Sequence, residues 1–220
     1  MTSPRKKNDN AYSIDFFDED GPACEAHAPA FAGLPGGSEV PVRLAGLIRE
    51  AGPVRAAYRI APLSIDRGVP TLGALTLPGA TVATLGLAPG AAFPFVITAG
   101  ATIDALLDSL TDPLERYRAD CLAVARLDGA LVRLRERIRA AHATGPLALY
   151  LPGNAPEFPI EDIARIIAAI GGAAARLGLR LNDSGTMVPL KSIAGIFLPA
   201  VREMDSCEIC AMRDACDRRR

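Results

Sequence analysis

The chain has 220 residues, half of them apolar, with 24 basic and 25 acidic side chains and a formal net charge of −1. That length and apolar content build a core without staples, and the interspersed charges leave no electrostatic footprint for nucleic acid beyond the short basic end Arg218, Arg219, Arg220. No segment approaches the ~20 uncharged apolar residues of a membrane span, and the polar start MTSPRKKNDN is no secretory signal, so a reducing cytoplasm is the expected location.

Residues 1–39 read as a flexible arm: a polar start, an acidic patch at Asp15 to Asp20, then GLPGGSE. From Val40 the pattern changes, and Val42, Leu44, Leu47 and Ile48 give a short amphipathic helix that stops before Gly52-Pro53. Residues 55–65 and 81–99 are rich in Val, Thr, Ile and Phe and punctuated by Gly and Pro; both are predicted strands, the second ending in FPFVITAG. A helix follows from Ala101 to Leu110, and Asp112-Pro113 supplies the N-cap and first turn of another.

On that second helix Leu114, Tyr117, Cys121, Val124, Leu131, Leu134 and Ile138 form an apolar stripe, with Asp128 filling its one gap. A carboxylate there is costly to bury without hydrogen-bond donors, which makes Asp128 a ligand-binding candidate. The alternative is that Asp128-Gly129 is a turn dividing two shorter helices. A strand at 147–151, the loop PGNAPEF, a helix from Pro159 to Leu177 and extended pieces around Met187 and Ile193 complete an α+β pattern. The expected organisation is an arm over 1–39, an α+β domain over 40–200 and a cysteine-rich tail over 201–220.

The run GLRLNDSGTMVPLKSIAGIFLP, residues 178–199, carries the most information. Gly185, Lys191 and Ser192 imitate a phosphate-binding loop, but Leu190 stands at the second required glycine, Pro189 removes an amide from the cradle, and a strand rather than a helix follows. Ser184 lies outside any G-x-S-x-G turn, and only His27 and His142 are available to a serine nucleophile. Both chemistries are set aside.

The same run resembles the signature of the activation domain of cobalamin-dependent methionine synthase. Gly178, Leu181, Asn182, Asp183, Ser184, Met187, Pro189, Ser192 and Gly195 fit that pattern, with Asn and Asp standing for Thr and Glu. Lys191-Ser192 and the terminal cysteines match short stand-alone relatives of corrinoid-using bacteria, and FVITAGATID resembles the segment before their long helix, so the likeness covers residues 40–220. It implies a curved α+β domain with a twisted antiparallel sheet and flanking helices. It also implies binding of S-adenosylmethionine, which remethylates cobalamin once an electron donor has reduced it.

The family's R-x-x-P-G-Y motif falls on residues 149–154, where Pro152 and Gly153 remain, Leu149 replaces the arginine and Asn154 the tyrosine. The carboxylate of the methyl donor thereby loses a bidentate partner, which predicts weak S-adenosylmethionine binding or none. By the resemblance, Asp128, Pro152, Gly153, Asn154, Asp183, Ser184, Pro189 and Ser192 are the cofactor-site residues. No D-x-H-x-x-G corrinoid signature occurs, so a corrinoid- or cobalamin-binding methyltransferase partner must present the cobalamin.

Cys207, Cys210 and Cys216 are spaced C-x2-C-x5-C, three of the five cysteines of the chain. Such a cluster suits an iron–sulfur centre or structural zinc, with a reduced thiol patch the third alternative. The fourth position is left to Cys24, Cys121, a histidine, an exogenous ligand or a partner chain; Cys121 on the helix stripe is expected in the core. Two functions follow: an accessory protein for reductive activation or remethylation of a corrinoid methyltransferase, nearest to methionine synthesis, or a non-catalytic module that docks a corrinoid protein and carries a structural metal.

Overall fold

Residues 12–17, 42–204, 206–210 and 212–215 are described by the structure, a computed structural model. Within the expected arm, Tyr12–Phe17 is strand β1, where aromatic residues and Ile14 favour extension; the rest of residues 1–39 lies outside the described residues. Helix α1, Val42–Glu50, buries Leu44 and Ile48, one turn apart. Strands β2, Val54–Arg59, and β3, Ala61–Asp66, form one extended run interrupted at Ile60. A turn at Arg67 and Gly68 then leads into β4, Val69–Leu72, and on to β5, Leu75–Thr76, two strands that the sequence pattern did not announce.

The strand expected over 81–99 divides. Ala80–Leu85 is helix α2, closed by left-handed Gly86 at φ 59°, and only Gly90–Thr98 is strand, β6. Thr and Val favour a strand locally, but Thr81 and Leu85, four apart, are both buried, and that helical spacing prevails. Helix α3 covers Ala101–Ser109, and α4, Pro113–His142, begins as expected, with the Asp112 carboxylate accepting from the Leu114 amide at 2.8 Å.

The long helix runs unbroken for 30 residues, which overturns the reading of Asp128-Gly129 as a turn. Burial of Leu127, Ala130, Leu131 and Leu134 around it outweighs the roughly 1 kcal/mol that a helical glycine costs. Its buried band also includes Ala119, Leu122 and Ala123, while Tyr117 is 44% exposed. Strand β7, Leu147–Tyr150, precedes the loop. The single helix expected from Pro159 to Leu177 is two, α5, Asp162–Ile170, and α6, Gly172–Arg176, parted at Gly171 with φ 66°. Strands β8, Arg180–Leu181, and β9, Met187–Val188, make a hairpin; β10, Ser192–Pro199, and the short helix α7, Ser206–Ile209, follow.

All named strands pair antiparallel, and β6 is central. Its one edge holds β2 (Arg55 opposite Thr98) and, further along, β3 (Ala61 opposite Ala92). Its other edge holds β10, with Ser192 opposite Thr98 and Phe197 opposite Phe93. Strand β7 lies outside β10, β1 outside β2, and β4 and β5 extend from β3. Helices cover both faces. Phe93, Phe95 and Ile97 pack with residues of α1, α3 and α4, whereas Ala92 and Val96 belong to a second core with α5 and α6. At Gly195 on β10 an added Cβ would lie 2.7 Å from Leu151 and 2.8 Å from both Phe95 and the Tyr150 carbonyl oxygen, so glycine is required by space there. This is an α+β fold built on an antiparallel sheet with flanking helices.

Candidate functional site

The described residues singled out by sequence fall into five places. Asp128 sits half-buried on α4. Two residues earlier, Arg126 is the charged side chain of this helix that the core accepts, 4% exposed. Its guanidinium donates to the Ile48 carbonyl at 2.6 Å and to the Gly52 carbonyl at 3.0 Å, satisfying oxygens at the end of α1 that have no helical partner. Nothing in the sequence pattern distinguishes this arginine from an exposed one.

Pro152, Gly153 and Asn154 form the turn leaving β7. The Gly153 amide donates to the Phe158 carbonyl at 2.7 Å and the Asn154 amide to the Leu151 carbonyl at 3.1 Å. Gly153 has φ 79°, and a Cβ there would meet Ile160 Cδ1 at 2.8 Å, so the motif glycine is demanded by this turn. Next to it in the chain, Tyr150 packs against Phe158 with tilted rings whose centroids are 4.5 Å apart. The Tyr150 hydroxyl donates to fully buried Asp162, whose other oxygen accepts from Arg165 at 2.8 Å. Burial, then the hydrogen bond and charge of Asp162, push the Tyr150 phenol far above its ordinary pKa. Leu149, at the position of the family's arginine, is 1% exposed in the core with Phe197 and offers no cation to a ligand.

Asp183 and Ser184 lie at the exposed tip between β8 and β9. Asn182 organises the tip: its side-chain oxygen accepts from the Ser184 amide at 3.1 Å, the Ser184 hydroxyl at 2.8 Å and the Thr186 amide at 2.9 Å. Asn182 and Gly185, the latter with φ 78°, thus account for part of the sequence signature as turn chemistry.

Pro189 and Ser192 are brought together at the junction of β6 and α3. The peptide before Pro189 is cis. Ser192 Oγ is bonded to the Pro189 carbonyl oxygen at 2.7 Å and to Thr98 Oγ1 at 2.9 Å, and Thr98 Oγ1 accepts from the Gly100 amide at 3.1 Å. The Leu190 amide donates to Asp104 at 2.6 Å, and Lys191 pairs with Asp120 of α4 at 2.5 Å. Motif residues here fasten a loop across α3 and α4.

In the tail, Cys207 and Cys210 are half-buried free thiols on and just after α7. Cys207 lies on the helix and Cys210 just beyond its last residue, Ile209. Cys216 lies outside the described residues, and among the described residues no group of three or more His, Cys, Asp or Glu could hold a metal ion. Cys121 lies in the core as expected, and among the described residues no helix is long and apolar enough to cross a membrane.

No family model and no curated protein matches the chain. Among solved structures it is similar to the crystal structure of the MetH reactivation domain bound to AdoHcy, with a TM-score of 0.59, 14% identity, and coverage of 89% of this chain and 81% of that one. At that identity the likeness is one of fold. The chain therefore has a reactivation-domain-like fold.

Proposed function

We propose that this chain is an accessory protein for the reductive activation or remethylation of a corrinoid or cobalamin methyltransferase, with methionine synthesis the nearest pathway. The observation that carries the reading is the fold likeness to a reactivation domain over 89% of the chain. The run from Gly178 to Gly195 supports it independently, since it resembles that family's signature. In this reading the cobalamin belongs to a partner protein. The chain's task would be to hold that partner in a productive orientation, and the partner's cobalamin, when presented, would supply the redox and methyl-transfer chemistry.

Cys207, Cys210 and Cys216 are the residues proposed to hold an iron–sulfur centre or zinc. An iron–sulfur centre would supply one-electron chemistry and zinc would supply structure. Asp128, Pro152, Gly153, Asn154, Asp183, Ser184, Pro189 and Ser192 are proposed as cofactor-binding residues. A second reading, a non-catalytic module docking a corrinoid protein, is favoured by one observation. Leu149 is packed in the core where the family's arginine would hold the methyl donor, so S-adenosylmethionine binding is expected to be weak or absent.

The test is an anaerobic assay with a cobalamin-dependent methyltransferase lacking its own reactivation domain, a chemical reductant and S-adenosylmethionine, following cob(II)alamin loss by absorbance. Acceleration by the wild-type chain, reduced in Cys207→Ala, supports the accessory role with a redox centre. A complex on gel filtration without acceleration supports the docking module. Neither complex nor acceleration overturns both.

A further inference from the structure

A cleft of about 750 Å³ opens where the β2–β3 bend, the β4–β5 hairpin and α5 meet. None of the residues proposed above to bind a cofactor lines it. Its walls include Pro62, Leu72, Leu75 and Pro94, and the charged residues lining it are Arg59 and Arg165. Of the described residues lining it, none is acidic.

Both guanidiniums are anchored to α5. Arg59 reaches across from the end of β2 and donates to the Ala169 carbonyl at 3.4 Å. Arg165, four residues before Ala169, is held by Asp162 at 2.8 Å while its side chain stays 63% exposed. Asp162 itself is fully buried and tied to Tyr150, so it orients Arg165 from below rather than facing the opening. Two guanidiniums that line one apolar cleft, one from the end of β2 and one from α5, suit an oxyanion, because a guanidinium offers five donors in a planar fork that matches carboxylate and phosphate oxygens.

We propose that this cleft binds a small molecule carrying a phosphate or carboxylate group on an apolar body, with Arg59 and Arg165 holding the oxyanion and the Leu72, Leu75 and Pro94 walls holding the body. None of the proposed cofactor-binding residues lines this site, and it stands whether or not that function is correct.

The experiment is an NMR titration of the full chain with phenyl phosphate, benzoate and, as the neutral control, benzyl alcohol. Shifts confined to residues 59–62, 72–76 and 165–169 are expected with an anionic probe, and phenyl phosphate against benzoate distinguishes the two oxyanions. Arg59→Gln removes a charge-assisted partner and should weaken binding about tenfold or more. Ala168→Phe, at an exposed position on the rim, should block binding without touching a charge. Failure of both anions to bind, equal binding of benzyl alcohol, or wild-type affinity in folded Arg59→Gln and Ala168→Phe overturns the proposal.

Discussion

The Tyr150 hydroxyl donates a hydrogen bond to the buried carboxylate of Asp162, and this bond ties the strand that precedes the Pro152-Gly153 turn to the first residue of α5. The folded protein therefore keeps Tyr150 neutral at pH values where an unfolded tyrosine ionises, since burial and the Asp162 charge raise its pKa. A raised acid pKa contributes stability that is complete below the unfolded value of about 10 and is lost as pH climbs above it. Urea denaturation should show stability falling above about pH 10, and Tyr150→Phe should flatten that fall. The same substitution should cost about 1–3 kcal/mol at neutral pH, because it leaves one oxygen of a buried carboxylate unserved. Tyrosinate absorbance in the folded protein should lack one late-titrating group in the mutant; an unchanged alkaline profile would contradict the assignment.

Arg126→Leu should destabilise the chain by about 3 kcal/mol. The leucine fills the space of the alkyl stem, but the Ile48 and Gly52 carbonyls then lose their charged donor in a dry environment. Lysine should rescue little, since one ammonium cannot match the two-pronged geometry. Hydrogen exchange localised to α1 is the discriminating measurement: selective loss of protection there is expected, and uniform loss would point to general core damage instead.

Gly195→Ala should cost about 1–3 kcal/mol through overpacking against Leu151, Phe95 and the Tyr150 carbonyl oxygen. Two neighbours are side chains that can shift, but the third is backbone of the paired strand, so relief requires β7 and β10 to part. Thermal melts of Gly195→Ala beside Gly145→Ala, where an added Cβ meets nothing within 4 Å, give the contrast.

Ser192→Ala and Ser184→Ala separate fastening from exposure. Ser192 joins Thr98 to the Pro189 carbonyl in a partly buried site, and its loss should cost about 1 kcal/mol. Ser184 lies exposed at a turn whose geometry is already set by Asn182, so its replacement should change stability by less than about 0.5 kcal/mol. A loss of partner activation in Ser184→Ala, with stability unchanged, would assign that residue to the interface.

Much of this organisation was legible in the sequence because it rests on local chemistry. Asp112-Pro113 starts a helix, and the apolar runs ending at Thr98 and Pro199 are buried strands. What escaped depends on distant partners. Ala80–Leu85 carries strand-favouring residues but obeys the burial of Thr81 and Leu85. Asp128-Gly129 has the composition of a turn, yet packing keeps the helix continuous. Of the charged residues on that helix, sequence singled out Asp128, whereas Arg126 is the one the core holds, through carbonyls 78 and 74 positions away. The arginine cleft likewise joins Arg59 to Ala169 across 110 positions, a separation at which no spacing rule operates.

Strand β6 meets β2 and β3 on one edge within about forty residues of sequence, but its other edge waits for β10, whose partners lie some hundred positions on. During synthesis the middle of the sheet thus stands half-paired until β10 has emerged, leaving backbone donors and acceptors of residues 93–98 on an open edge. Late closure of this kind favours slow folding, and it makes the segment bearing the Pro189–Ser192 fastening also the one that shields the nascent chain from sticking to its neighbours.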